Sequence, residues 1–123
     1  MNDFPGDVRQ FIADHIHSLA QLEVLLLLHG APEREWQPSE VGTALYTPPE
    51  MAGAQLQDLC TRGLIGCVND RYRYLNTHKF DEVIGKVAEL YKERRVTMIT
   101  LIYSKPVDKV RTFADAFRFR KDP

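Results

Sequence analysis

Residues 46–75 read YTPPEMAGAQLQDLCTRGLIGCVNDRYRYL, and this stretch decides the fold. Thr47 is placed as a helix N-cap and Pro48 at the first helical position, where a missing N–H costs nothing. Apolar residues then fall at Ala52, Leu56, Leu59 and Cys60, the three-and-four spacing of one helix face. Gly63 supplies the stop, because glycine takes the left-handed conformation freely. Residues 64–68 and 71–75 are short β-prone runs, and Asn69-Asp70 between them is a two-residue turn. Together they read as a hairpin.

Upstream, Pro38-Ser39-Glu40 starts a short helix with Val41 and Leu45 facing inward. A short helix, a tight connection and a longer helix make a helix-turn-helix unit, and the hairpin completes a winged helix. Trp36 either begins a short strand or covers the edge of the core. Before it, Ser18 and Gln21 form a capping-box pattern opening a helix with Leu19, Leu22, Leu25 and Leu26 on its face, stopped at His29-Gly30. Residues 7–17 form a first amphipathic helix through Val8, Phe11, Ile12 and Ile16. Downstream, Asn76 or Thr77 caps a helix carrying Phe80, Val83, Ile84, Val87, Leu90 and Tyr91.

Residues 96–103, VTMITLIY, are apolar nearly all round. A domain this small can hardly bury such a helix alone, so a partner chain is implied. Pro106 breaks the helix, and Val107, Val110, Phe113, Ala114 and Phe117 line a last one. The expected fold is therefore mainly α with a small β-hairpin: one winged-helix domain over residues 1–123. Its core is 18–75, and helices in 1–17 and 76–123 pair two subunits. The expected dimer interface is Phe11, Val96, Ile99, Leu101, Ile102, Val110, Phe113 and Phe117.

At 123 residues and 44% hydrophobic the chain can bury one core, and no apolar run reaches the length of a membrane span. The opening MNDFPGDVRQ lacks the basic start and apolar region of a signal peptide, and two cysteines make no disulfide framework. The expectation is a cytoplasmic protein without a membrane role. Net charge is −1 but uneven. Residues 1–36 hold six acids against two bases, and 37–75 hold four against three. Residues 76–123 hold seven acids against eleven bases, so the basic surplus lies outside the reading head.

The order of elements, with SLAQLEVLLLLHG, PSEVGTAL and LQDLCTRGLI, resembles the MarR-like winged helix-turn-helix transcription regulators. The likeness is detailed over roughly residues 18–75 and looser in the flanking helices, which pair subunits in that family. It implies a homodimer that binds double-stranded DNA, reading it with helix 47–62 and wing 64–75. It also leaves room for a small-molecule effector in a pocket between the DNA-binding lobe and the dimer helices. The implied DNA-binding residues are Thr47, Glu50, Met51, Ala54, Gln57, Arg62, Arg71 and Arg73. The family's reading helices usually present Ser, Thr, Arg or Lys. Here the outward face is Thr47, Glu50, Met51, Ala54, Gln57, Asp58 and Thr61, with two carboxylates and no base. The alternative is a winged helix that binds a protein instead of DNA.

Arg71 and Arg73 alternate with Tyr72 and Tyr74, giving the second strand one basic and one aromatic face. The basic face suits a phosphate backbone or a minor groove, or else plain solvent. Cys60 and Cys67 are expected to be buried, inert core filling rather than a redox pair. His15, His17, His29 and His78 lack a ligand spacing, so no metal is expected. No phosphate loop, serine elbow or Cys–His arrangement is present, which argues against an enzyme and against a cofactor. Lys92, Arg94 and Arg95 are placed as a solvated face inside one long helix.

Overall fold

Each turn of the chain has a local cause. Ser18 adopts an extended cap conformation, and its hydroxyl accepts from the Gln21 N–H at 3.1 Å, which opens a helix at Leu19. The Glu40 carboxylate accepts from the Gln37 N–H at 2.9 Å at the start of another, with Pro38 at its first position. The computed structural model describes residues 4–75 and 79–103. Its elements are α1 Gly6–His15, α2 Leu19–His29, α3 Pro38–Leu45, α4 Pro49–Thr61, β1 Ile65–Val68, β2 Arg71–Tyr74, α5 Asp81–Glu93 and α6 Arg95–Tyr103. The protein is thus mainly helical with one small two-stranded antiparallel sheet.

One apolar core runs through all of these elements. It joins Val8, Phe11 and Ile12 of α1 and Leu22, Leu25 and Leu28 of α2 to Ala52, Leu56 and Leu59 of α4. Ile84 and Val87 of α5 and Met98 and Ile102 of α6 close it from the other side. The axes of α1 and α2 differ by 115°, so α1 lies across α5 and α6 while α2 reaches α3, α4 and β2. Among the described residues no single helix is long and apolar enough to cross a membrane.

Several expected boundaries shift. Pro48, not Thr47, caps α4, and Pro49 takes the first helical position. The buried face of α2 is Gln21, Leu22, Val24, Leu25 and Leu28, while Leu26 is only partly buried. The expected long C-terminal helix breaks at Arg94 (φ −137°, ψ 59°), and α6 begins at Arg95. Expectations for Asn76, Thr77, Val110, Phe113 and Phe117 fall outside the described residues.

Phe11, expected at a dimer interface, is buried inside this chain and packs its ring 5.5 Å from Phe80 and 5.2 Å from His15. Ile102 is likewise buried in the chain's own core. Neither residue needs a partner chain to cover it. On α6 only Met98 and Ile102 are buried, Ile99 and Leu101 are half-buried, and Val96 stands 76% exposed. Burial on every side, as expected for this helix, is not achieved within one chain.

Candidate functional site

The connection from α3 to α4 is tight enough to demand glycine. A Cβ on Gly42 would lie 2.6 Å from the Thr47 carbonyl oxygen, a backbone atom with no room to give. The Gly42 carbonyl accepts from the Thr47 N–H at 2.9 Å, and Tyr46 turns the chain in the left-handed region at φ 57°. That geometry throws the Tyr46 side chain into solvent, 95% exposed, and holds Thr47 half-buried in the corner.

Helix α4 buries Ala52, Leu56 and Leu59 and presents Glu50, Met51, Ala54, Gln57 and Thr61 to solvent. Asp58 does not belong to that outward face. Its Oδ2 accepts from Gln21 Nε2 at 2.6 Å and from Arg62 Nε at 2.9 Å. The buried Gln21 also accepts from the His17 N–H at 2.6 Å, so one polar chain ties the α1–α2 corner to the end of α4. Two consequences follow for the expected site: the outward face carries one carboxylate, Glu50, rather than two, and Arg62 is engaged by Asp58.

Gly63 takes φ 80° and reverses the chain into β1. Asn69 and Asp70 both have positive φ, the two-residue turn whose twist suits a hairpin. The register pairs Ile65 with Tyr74 and Cys67 with Tyr72 on one face, and Gly66 with Arg73 and Val68 with Arg71 on the other. Tyr72 and Tyr74 are buried, so Arg71 and Arg73 stand together on the exposed face, and neither forms an ion pair among the described residues. Trp36 covers the edge of the core and begins no strand; it forms an isolated bridge. It is buried and bridges Tyr72 through two backbone hydrogen bonds of 2.7 and 2.8 Å.

The cysteines overturn their expectation. Cys60, half-buried at the last turn of α4, is disulfide-bonded to the exposed Cys67 of β1, with Cα atoms 6.3 Å apart. Inert core filling is therefore wrong for both residues. Sequence reasoning also passed over Arg34, whose guanidinium lies 3.7 Å above the Trp36 ring and 3.9 Å from Glu40. It missed the Gln21–Asp58 contact as well, since no local signal links residues 37 apart.

Away from this head, an open cavity of about 330 Å³ lies between α1 and the start of α5, walled by Phe11, His15, Phe80 and Val83 and rimmed by Asp14 and Lys79. Burial holds the His15 imidazole below its ordinary pKa, with Arg62 and Lys79 adding to the shift and Asp14 opposing it. Among the described residues no three His, Cys, Asp or Glu side chains gather as metal ligands.

No protein-family model, curated protein or solved structure matches this chain.

Proposed function

We propose that the chain is a winged-helix transcription regulator that binds double-stranded DNA as a homodimer, its wing supplying the charge. The observation that carries this reading is the exposed pair Arg71 and Arg73, without an ion pair among the described residues, on the outer face of a hairpin clamped to α4. The order α3, tight turn, α4, hairpin, with Trp36 bridged to β2, fits the winged-helix arrangement. Arginines in this setting meet phosphates, while Glu50, Met51, Ala54 and Gln57 of α4 make the closer contacts with the groove. Val96 and Ile99, neighbours on one face of α6, offer the apolar surface on which a second subunit would pack, while Leu101 packs against this chain's own core.

Two arginines per subunit imply about four phosphate contacts per dimer and a log–log salt slope of about 3 to 4. Titration of the protein against a random duplex pool at low salt should enrich a pseudo-palindrome. Replacing Arg71 and Arg73 by Ala should weaken binding to every duplex and flatten the slope. No enrichment, and no binding at high protein concentration, would remove DNA as the partner.

A second reading, a protein-binding module, is favoured by one observation. Tyr46 is 95% exposed and Met51 54% exposed beside Glu50, an apolar and acidic surface with no cation on the helix. Under that reading Tyr46→Ala abolishes partner binding and Arg71→Ala does not.

A further inference from the structure

The two halves of the hairpin are held very differently. Its base is anchored by buried Leu64, Ile65, Tyr72 and Tyr74, by the Trp36 bridge, and by the Tyr74 hydroxyl donating to Asp81 at 2.7 Å. Its tip has none of these. Val68, Asn69, Asp70 and Arg71 are all exposed, and a two-stranded ribbon is marginal on its own. The bond from Cys67 to Cys60 is the covalent tie between this tip and α4, closing a loop of seven residues' separation through Gly63. Cys67 is the exposed end of the bond, whereas Cys60 is half-buried against the core.

We propose that the Cys60–Cys67 disulfide is a thiol-exchange site, at which a dithiol reductant unclamps the hairpin tip from α4 without unfolding the core. The thiolate of the reductant attacks Cys67 Sγ, forming a mixed disulfide and releasing the Cys60 thiolate. The second thiol of the reductant, deprotonated, then attacks its own sulfur in the mixed disulfide and releases the Cys67 thiolate. Two electrons pass from the dithiol to the protein, and the two protons of the dithiol end, through water, on Cys60 and Cys67. A low-molecular-weight disulfide such as oxidised glutathione reverses the sequence. Access decides the direction of attack, because exchange rates follow which sulfur can be reached. Reduction leaves Leu64, Ile65, Tyr72 and Tyr74 in place, so loosening is confined to residues 66–71. The exchange and the local release stand independently of any nucleic acid. Only their consequence for the placement of Arg71 and Arg73 rests on the reading above.

The test uses the full chain, isotope-labelled, before and after dithiothreitol or thioredoxin under native conditions. Alkylation with N-ethylmaleimide followed by mass measurement should add no adduct before reduction and two after it. Backbone order parameters for residues 66–71 should fall from about 0.85 to below about 0.6, while those of α2 and α5 stay unchanged. The double variant Cys60→Ser, Cys67→Ser should reproduce the reduced state with the helical circular dichroism intact. A bond reduced only after denaturant unfolds the chain would overturn the proposal, as would an unchanged tip or a loosening of the whole protein. Duplex binding measured in both redox states keeps the two readings apart. Binding absent in both, with the tip released, sinks DNA alone, and binding retained in both with a rigid tip sinks the clamp alone.

Discussion

The head, from α3 through the hairpin, and the helical half, built from α1, α5 and α6, are shaped by different physics. All four positive-φ residues among those described, Tyr46, Gly63, Asn69 and Asp70, fall in the head. A disulfide and two prolines at the start of α4 fix it further. Among the described residues the helical half has no positive-φ residue and no disulfide, and one proline, Pro5, which caps α1. It is held by Phe11, Ile84, Val87, Met98 and Ile102 in the core and by exposed ion pairs, Lys86 with Asp7 at 2.8 Å and Arg95 with Glu23 at 3.6 Å. Surface pairs of that kind contribute little. Backbone chemistry sets the shape of the head, so its exposed residues are presented in one arrangement. Side-chain burial sets the helical half, and there the burial is unfinished on α6.

The largest effects compare α4 with α6. Leu59 is fully buried, and Leu59→Ala should cost about 2–5 kcal/mol in urea unfolding. Val96→Ala should change the stability of an isolated chain by no more than about 0.5 kcal/mol, because that side chain is 76% exposed. If a second subunit covers α6, the Val96 effect grows with protein concentration. Light scattering of the native protein at micromolar concentration should then report twice the chain mass, and Val96→Asp with Ile99→Asp should return it to a single mass. A monomer at all concentrations would leave α6 an exposed apolar surface and remove the dimer from the proposed function.

Gly42 tests the head's dependence on its backbone. Gly42→Ala sets a methyl group against the Thr47 carbonyl and should destabilise by about 1–3 kcal/mol, the usual range for overpacking. Gly85 makes the control. Nothing lies within 4 Å of a Cβ built there, and Gly85→Ala inside α5 should stabilise by roughly 0.5–1 kcal/mol through helix propensity. Equal effects at the two glycines would break the contrast between the halves.

The contrast also explains what the sequence made legible. Local signals were read well in the head: the Ala52, Leu56, Leu59 face, the Gly63 stop and the Asn69-Asp70 turn all occur as expected. The cap of α4 was misplaced by one residue because two adjacent prolines satisfy the same rule at either position. In α2 the run of four leucines has no period, so pattern alone could not rank Val24 and Leu28 above Leu19 and Leu26 as buried positions. The break at Arg94 has neither proline nor glycine to announce it. Cys60 pairing with Cys67, and Gln21 with Asp58, are contacts between elements. Spacing along a chain does not carry that information, and burial preference pointed the wrong way for the cysteines.

Tyr74 joins the two halves, since its hydroxyl donates to Asp81 at the start of α5. Burial first, then that carboxylate, holds the phenol neutral well above its ordinary range. Above about pH 10 the unfolded chain's tyrosine loses its proton while folded Tyr74 keeps it, so the unfolded state binds fewer protons and stability falls as pH rises. Tyr91, raised by burial and by Glu23, acts with the same sign. Tyr74→Phe should therefore cost about 1 kcal/mol at neutral pH for the lost hydrogen bond, and should make the alkaline decline shallower without abolishing it. Urea midpoints measured from pH 8 to 11 check this. An unchanged alkaline slope would mean that the tie between the halves does not protect the phenol.

The smallest effect isolates turn chemistry from everything else. Asp70 occupies the second turn position at φ 64° with its side chain exposed, and no hydrogen bond or ion pair is assigned to that carboxylate among the described residues. A non-glycine residue is disfavoured there by its Cβ, and Asn-Gly is the preferred pair for a turn with two positive φ angles. Asp70→Gly relieves that strain but enlarges the freedom of the unfolded chain, which offsets part of the gain. The net expectation is a stabilisation of a few tenths to about 1 kcal/mol, read as a higher urea midpoint with an unchanged m-value. Removing the carboxylate beside Arg71 also takes away a repulsive charge at the wing tip, so under the DNA reading duplex affinity rises slightly and most visibly at low salt. Asp70→Asn separates the two contributions: it removes the charge and leaves the Cβ, so it should reproduce the affinity change without the full stability gain. If both variants stabilise the fold equally, charge rather than backbone conformation limits the turn, and the contrast between a backbone-shaped head and a burial-shaped helical half fails at the hairpin.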